Sequence, residues 1–209
     1  MAGLRHAGPR NGGDAEGPRP PDAGVGILML DTQFPRVPGD IGNPRTFPFP
    51  VRYLRIPGAT ADRVVRRKPH DLLPEFIAGA RQLAREGARV ITTTCGFLAR
   101  FQQDLAAAVQ VPVCTSSLLL VPLVHRMLAP GRAVGILTIH AAALGAAELR
   151  GAGISPEVPI VVAGMEGEPQ FARAILGDTP RLDVARARDE HGRVAARLAS
   201  ANPELGAIV

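Results

Sequence analysis

The chain lacks long apolar runs and a cysteine framework, and each absence excludes a class of protein. Its longest apolar candidate, residues 118–124 (LLLVPLV), contains a proline and falls well short of the roughly 20 residues of a membrane helix. Two cysteines in 209 residues give no disulfide framework. We therefore expect a cytoplasmic globular protein that has no membrane partner.

Lysine and aromatic side chains are also scarce. The sequence has 23 arginines but one lysine, Lys68, and it has seven Phe, one Tyr and no Trp. The net charge is +5, the arginines are spread over most predicted helices, and few rings are available to stack on bases. The densest basic run, RVVRRK at residues 63–68, is interpreted as a solvated face. No nucleic-acid partner is predicted, and no spacing among histidines, acids and cysteines suggests a metal site.

Beyond these absences, the chain alternates strand-like and helix-like segments. Residues 1–24 mix Gly, Pro, Arg and acids without periodicity and are predicted to form a disordered leader. Predicted strands follow at 25–30, 51–56, 89–94, 111–114, 133–139, 160–163 and 207–209. Predicted helices lie at 72–86, 97–109, 118–128, 141–152, 170–176 and 184–199, with Gly87 and Gly153 at C-cap positions. The alternation predicts an α/β fold of parallel sheets flanked by helices.

An internal repeat divides this pattern into two lobes. The tetrapeptide VGIL at residues 25–28 recurs at residues 134–137, and Gly87-Ala88 has a later counterpart in Gly206-Ala207. Each match is weak alone, but their common order predicts two similar lobes, residues 25–116 and 117–209, that face each other across a cleft. In such folds ligands bind at the carboxyl ends of the strands.

Cys95 is the main catalytic candidate. It ends a predicted strand in TTTCGF and is followed by Gly96 and a helix, so its thiol should lie at the sheet edge near positive helix partial charges. We expect a lowered thiol pKa and faster alkylation of Cys95 than of Cys114. A small buried hydrophobe is the alternative interpretation.

Other polar residues at strand ends are candidate substrate ligands. Thr94 and Gly96 flank the cysteine, and Thr115, Ser116 and Ser117 follow the next strand, where they suit either N-capping or carboxylate binding. Cys114, in VPVC, is interpreted as a buried structural cysteine.

Asp31 and His140 occupy equivalent positions in the repeat, so both should point into the same cleft; a surface carboxylate and a capping histidine are the alternatives. Asp40 and Asn43 lie in PGDIGNP and would contact a substrate amine or carboxylate or form an ordinary turn.

The sequence resembles the cofactor-independent aspartate, glutamate and hydantoin racemase superfamily, which has two pseudo-symmetric α/β lobes with a cysteine at a strand end in each. The resemblance rests on five segments: VGILMLDT (25–32), PGDIGNP (38–44), TTTCGF (92–97), VPVCTSS (111–117) and VGILTIH (134–140). It implies a racemase of an amino acid or related small carboxylate or hydantoin, in which Cys95 is one proton-transferring base. It also implies that no cofactor is required. Gly-Phe replaces the Asn-Thr that typically follows the cysteine in amino-acid racemases.

By the same symmetry, the second cysteine would fall about four residues beyond Val209. The resemblance therefore suggests a C-terminally truncated member that lacks one acid/base group and exposes apolar surface, which would favour a homodimer. Two other functions stay open: a one-cysteine lyase, such as a decarboxylase of a malonate-type acid, and an inactive protein that binds a small acid.

Overall fold

Two parallel sheets form the framework of the protein. The computed structural model describes residues 24–67 and 70–209; the predicted leader lies outside this part except for Gly24, and so does Lys68. Within it the strands are β1 (Val25–Leu30), β2 (Val51–Ile56), β3 (Val90–Thr93), β4 (Val113–Cys114), β5 (Ala133–Thr138), β6 (Ile160–Gly164) and β7 (Leu205–Ile208). The first sheet has the order β2-β1-β3-β4 and the second the order β6-β5-β7, with parallel pairing throughout.

Helices cover the sheets, as the alternation of the sequence predicts. The α-helices are α1 (Leu73–Arg85), α2 (Gln102–Ala108), α3 (Val121–Met127), α4 (Ala146–Gly151), α5 (Pro169–Leu176) and α6 (Val184–Ala201). Short 3₁₀ segments occupy Pro44–Thr46, His70–Leu72, Gly96–Phe101, Ser117–Leu120 and Ala141–Ala143. The predicted α/β class is confirmed, and the most buried strands are β1 and β5, whose Val- and Ile-rich runs suit burial on both faces.

Three predicted helices are not continuous α-helices. Those expected at 97–109 and 118–128 begin as the 3₁₀ segments Gly96–Phe101 and Ser117–Leu120, and the one expected at 141–152 breaks before Gly145. Gly145 is the N-cap of α4, and its backbone N–H donates to Glu148 Oε2 at 3.0 Å. Gly87 and Gly153 have φ values of 93° and 71°, which lie in the left-handed region that favours glycine at helix ends.

The repeat in the sequence corresponds to a repeat in topology. β5 lies between β6 and β7 as β1 lies between β2 and β3, so both VGIL tetrapeptides form central strands. The 3₁₀ segment Ser117–Leu120 and helix α3 pack against the second sheet through Leu118 and Val121. We therefore propose that the boundary between the lobes falls at residues 116 and 117.

A buried joint connects the two lobes. Arg100, from the 3₁₀ segment after Cys95, contacts Glu148 of α4, with 3.0 Å between Nη2 and Oε1 and side-chain exposures of 6% and 0%. Next to this pair, Gly151 lies so close to Ala99 that a Cβ at position 151 would overlap the Ala99 carbonyl oxygen. The joint therefore combines a buried charge pair with direct backbone contact.

In the described part of the basic run, residues 63–67, the last two arginines are exposed, as expected for a solvated face. It forms a π-helical stretch, Arg63–Arg67, in which Val64 and Val65 are buried. Arg66 and Arg67 are exposed and both pair with Asp62. None of the helices in the described residues has the length and apolarity that crossing a membrane requires.

Candidate active site

The candidate site is a cleft between the lobes, at the carboxyl ends of strands from both sheets. Its volume is about 370 Å³. Leu30 and Thr94 line it from the first lobe, and Thr138 and Met165 line it from the second. The location follows the general rule that ligands of parallel α/β sheets bind beyond the carboxyl ends of the strands.

Cys95 lies in this cleft, half-buried, between β3 and the 3₁₀ segment that follows. Burial raises the pKa of its thiol to about 11 from an ordinary value of 9.0. The backbone N–H groups of Phe97 and Leu98 and the Arg36 guanidinium lower the pKa, but they do not offset burial. The expectation of a lowered pKa is therefore wrong, because desolvation outweighs the partial charges of the helix start.

Cys114 is exposed at the end of β4, so the prediction that it is a buried structural cysteine is wrong. The reason is its position, since β4 has only two residues and forms the edge of the first sheet. The Cys114 Sγ lies 3.9 Å from the Ser116 carbonyl oxygen.

These two environments predict the order of alkylation. At pH 7 iodoacetamide should modify Cys114 before Cys95, because Cys114 is exposed whereas the Cys95 pKa of about 11 leaves little reactive thiolate. Labelling of Cys95 should accelerate by about tenfold for each pH unit between 7 and 10, since the fraction of thiolate rises tenfold per unit below the pKa. Mass spectrometry of the labelled peptides measures both rates. Faster labelling of Cys95 at pH 7 would contradict the assigned burial effect.

Four predicted substrate ligands line the cleft beside Cys95: Thr94, Gly96, Ser116 and Ser117. The Thr94 hydroxyl accepts a hydrogen bond from the Leu30 N–H at 3.2 Å. Ser116 is the N-cap of the following 3₁₀ segment and accepts from the Leu118 N–H at 3.1 Å. A Cβ at Gly96 would come within 3.3 Å of the Ser116 hydroxyl, so glycine keeps this side of the cleft open.

Asp31 and His140 do not line the cleft, contrary to the expectation from the repeat. Asp31 turns toward the loop after β2, where Oδ2 accepts from the Gly58 N–H at 3.0 Å and Oδ1 lies 3.4 Å from Arg55 Nη1. His140 precedes the 3₁₀ segment Ala141–Ala143 and is its N-cap residue. The repeat correctly aligns the strands of the two lobes. The direction of a side chain just beyond a strand, however, is determined by its own loop.

Asn43 and Thr115 also lie outside the lining of the cleft. Asn43 caps the 3₁₀ segment Pro44–Thr46, accepting from the Arg45 N–H at 2.8 Å and donating to the Arg36 carbonyl at 2.6 Å. Thr115 is 1% exposed, and its hydroxyl donates to Gln102 Oε1 at 2.8 Å. Turn formation and sheet–helix anchoring therefore account for these two residues.

Sequence reasoning missed Arg36, although it had considered Asp40 nearby. Both side chains line the cleft, with 3.2 Å between Arg36 Nη1 and Asp40 Oδ1. The Arg36 guanidinium carbon also lies 4.2 Å from the centre of the Phe34 ring, and its Nη2 donates to the Thr32 hydroxyl at 3.3 Å. This arginine is 13% exposed, unlike a solvated surface arginine. The available signal was its apolar neighbourhood in the sequence QFPRVPG.

His191 of α6 was also missed as a cleft residue, because it was considered only as a possible metal ligand. It lines the cleft from the second lobe. Its Nδ1 lies 2.7 Å from the Ala187 carbonyl oxygen, which assigns the proton of the neutral ring to Nδ1 and leaves Nε2 as an acceptor. The Phe171 ring packs edge-on against it, with 4.2 Å between ring centres.

The described residues contain no group of three or more His, Cys, Asp or Glu side chains placed to hold a metal ion. The polar side chains that line the cleft are those of Cys95, Arg36, Asp40, His191 and the hydroxyl-bearing residues Thr94, Ser116, Ser117 and Thr138. Most of the remaining lining is aliphatic or aromatic. Such a cleft can orient a small charged molecule and exchange a proton with it.

Comparison with curated proteins finds relatives that are named lyases. The chain is 28% identical over 193 residues to a dimethylsulfoniopropionate lyase from Durusdinium sp. clade D, covering 90% of this chain and 64% of that protein. It is 28% identical to dimethylsulfoniopropionate lyase 7 of Emiliania huxleyi, strain CCMP1516, covering 77% and 48%. The chain spans about half to two thirds of the length of these relatives. No protein-family model matches it.

Solved structures with the same fold include a decarboxylase and a racemase homologue. A cysteine mutant of arylmalonate decarboxylase has a TM-score of 0.52 at 18% identity and covers 88% of this chain and 76% of its own. An aspartate racemase homologue from Pyrococcus horikoshii OT3 has a TM-score of 0.50 at 14% identity, covering 88% and 82%. The predicted resemblance is thus confirmed at the level of fold.

The predicted activity needs correction. The curated relatives are named lyases, which contradicts the interpretation as an amino-acid racemase or other isomerase. The lyase alternative fits these names better. Gly96-Phe97 after the cysteine, in place of the usual Asn-Thr, was the sequence feature that departed from amino-acid racemases.

Proposed function

We propose that this protein is a lyase that cleaves a carbon–sulfur bond β to a carboxylate, acting on a zwitterion such as dimethylsulfoniopropionate. The names of its curated relatives support this class of reaction. The observation that carries the proposal is the composition of the cleft, in which one thiol lies with an arginine–aspartate pair among apolar walls. The chain covers only 64% and 48% of these two relatives, so their named substrate is carried over to this chain as part of the proposal.

The arginine–aspartate pair suits a zwitterion better than a dianion. Arg36 offers a guanidinium to the substrate carboxylate, while Asp40 places a negative charge 3.2 Å away that favours a cationic group. A malonate-type dianion would meet repulsion from Asp40. The methyl groups of a sulfonium would pack on the apolar walls, where the partly exposed Phe171 ring offers cation–π contact.

Cys95 is the proposed base. Its thiolate takes a proton from the carbon next to the carboxylate, and the electron pair of that C–H bond forms the C=C bond of acrylate. The bond between the β-carbon and sulfur breaks, and its electron pair leaves with sulfur as neutral dimethyl sulfide. Cys95 then returns its proton to water. The positive charge of the bound sulfonium favours the thiolate, so substrate binding would lower the pKa of Cys95 below its value in the empty cleft.

The test is to incubate the purified chain with dimethylsulfoniopropionate and to measure dimethyl sulfide in the headspace by gas chromatography and acrylate in solution by chromatography. We expect both products in equal amounts. Carbon dioxide from phenylmalonate, without dimethyl sulfide from the sulfonium acid, would contradict the proposal and favour a malonate decarboxylase. Neither product from either compound would favour a binding protein.

Replacing Arg36 by methionine should raise the KM for dimethylsulfoniopropionate by about 10- to 100-fold, because a charge-assisted hydrogen bond to the carboxylate is lost. Arg36→Lys keeps the charge but not the planar fork, so it should recover part of the loss. Arg45→Met is the matched control, since Arg45 is exposed and outside the cleft lining. Steady-state kinetics measure all three, and equal KM values for Arg36→Met and Arg45→Met would contradict the assignment.

A further inference from the structure

Two surface segments, one from each lobe, meet over the cleft. The first is residues 31–37, which follow β1 and carry Phe34 and Arg36 into the cleft lining. The second is residues 177–183, which connect α5 to α6 and contribute Leu182 to the same lining. Both segments thus form part of the wall around the thiol. The residues through which they contact each other are 145 positions apart in the sequence.

Asp178 makes the contact between these segments. Its Oδ1 accepts hydrogen bonds from the Gln33 N–H at 2.6 Å and from the Phe34 N–H at 3.2 Å. One carboxylate oxygen of the second lobe therefore satisfies two consecutive backbone donors of the first. Asp178 has a φ of 48°, in the left-handed region that is uncommon for residues other than glycine, asparagine and aspartate. The turn directs its side chain across to the other lobe.

The position of the first segment determines the position of Arg36. The backbone N–H of Phe34 donates a hydrogen bond to Asp178. The Phe34 side chain is 7% exposed and lies under the Arg36 guanidinium. A displacement of residues 33 and 34 would therefore move both an apolar wall and the proposed carboxylate ligand. Asp178 itself touches neither the cleft nor the thiol, since it is absent from the cleft lining.

We propose that Asp178 is a positioning residue that latches the two lobes together over the cleft. With its two hydrogen bonds formed, the segments cover the cleft and Arg36 is held for substrate. With them broken, the segments separate and the cleft opens to solvent, which allows substrate to enter and product to leave. The kinetic consequence rests on the proposed function, whereas the accessibility of Cys95 does not.

Three variants separate the hydrogen bonds from the backbone conformation. Asp178→Gly keeps the left-handed conformation but removes the acceptor, and Asp178→Ala removes both. Asp178→Asn keeps an acceptor oxygen and tolerates the conformation. Asp183→Gly is the matched control, because Asp183 lies in the same segment but caps its own helix through the Arg186 N–H at 3.1 Å.

The first measurement is alkylation of Cys95 by iodoacetamide in a Cys114→Ser background. We expect Asp178→Gly and Asp178→Ala to be labelled about tenfold faster than the parent, as the loss of two charge-assisted hydrogen bonds implies. Asp178→Asn and Asp183→Gly should stay within about threefold of the parent. Equal rates in all variants would overturn the latch, as would labelling of Asp178→Asn as fast as that of Asp178→Gly.

The second measurement is steady-state lyase kinetics. In Asp178→Gly the KM should rise about tenfold while kcat changes by less than about threefold, because the latch acts on binding and not on the proton transfer. An unchanged KM would overturn the positioning role of Asp178. If the parent releases no dimethyl sulfide, the proposed function fails, and the alkylation result still decides the latch. A fall in Tm of more than about 10 °C in Asp178→Gly would assign the residue to structural stability and would also overturn the proposal.

Discussion

Replacing Cys95 by alanine is expected to lower kcat/KM for dimethyl sulfide release by about 10²- to 10⁴-fold, the usual consequence of removing a general base. Cys95 is the thiol that lines the cleft just beyond β3, and Arg36 and Asp40 line the same cleft. The loss should appear mainly in kcat, because the substitution leaves the proposed contacts to the carboxylate and the sulfonium in place. Gas chromatography of dimethyl sulfide over a range of substrate concentrations measures both constants.

Cys114→Ala provides the control for this substitution. Cys114 is in the same lobe but exposed and outside the cleft lining, so its removal should leave kcat/KM unchanged. Cys95→Ser should resemble Cys95→Ala, since an alcohol is a much weaker acid than a thiol. If Cys95→Ala keeps more than half of the parent activity, another group takes the proton, and His191 would be examined first because its Nε2 is an acceptor in the same cleft.

The second large effect concerns the joint between the lobes. Replacing Arg100 by methionine is expected to lower the free energy of unfolding by about 3–5 kcal/mol, because it leaves the buried Glu148 carboxylate without its guanidinium partner. Urea denaturation followed by circular dichroism measures the change.

A double substitution distinguishes the loss of charge pairing from the loss of packing. Arg100→Met with Glu148→Met removes both charges, so it should be more stable than Arg100→Met alone. Arg66→Met is the control, because the Arg66–Asp62 pair is on the surface, with the Arg66 side chain 49% exposed, and should contribute less than about 1 kcal/mol. A double variant less stable than Arg100→Met would show that side-chain volume, and not charge, dominates at the joint.

The strands and the general position of the cleft could be predicted from the sequence. Continuous Val- and Ile-rich runs are typical of strands buried on both faces, and each predicted strand lies within about two residues of an observed one at one end or both. The repeated VGIL correctly aligned β1 with β5, the first strand of each sheet in the chain. Cys95 could be placed at the sheet edge because strand ends and the helix start that follows are local features of the sequence.

The details of the site depend on contacts between distant segments, which local patterns do not contain. Asp31 was expected in the cleft from symmetry, but the Gly58 N–H holds its side chain elsewhere. The pKa of Cys95 depends on how completely the two lobes exclude water, and its direction was predicted wrongly. Asp178 has no distinguishing motif, since its contact with Gln33 and Phe34 arises only when residues 31–37 meet residues 177–183, and the one signal for Arg36 was its apolar neighbourhood.

The close approach of Gly151 to Ala99 has a mechanical consequence. Ala99 belongs to the 3₁₀ segment that begins directly after Cys95, so this contact between the lobes is only four residues from the thiol. A contact between two backbone segments is stiff, because no side chain lies between them that could change rotamer and absorb a displacement. A tilt of one lobe about this contact would therefore move the Cys95 sulfur less than the rim of the cleft.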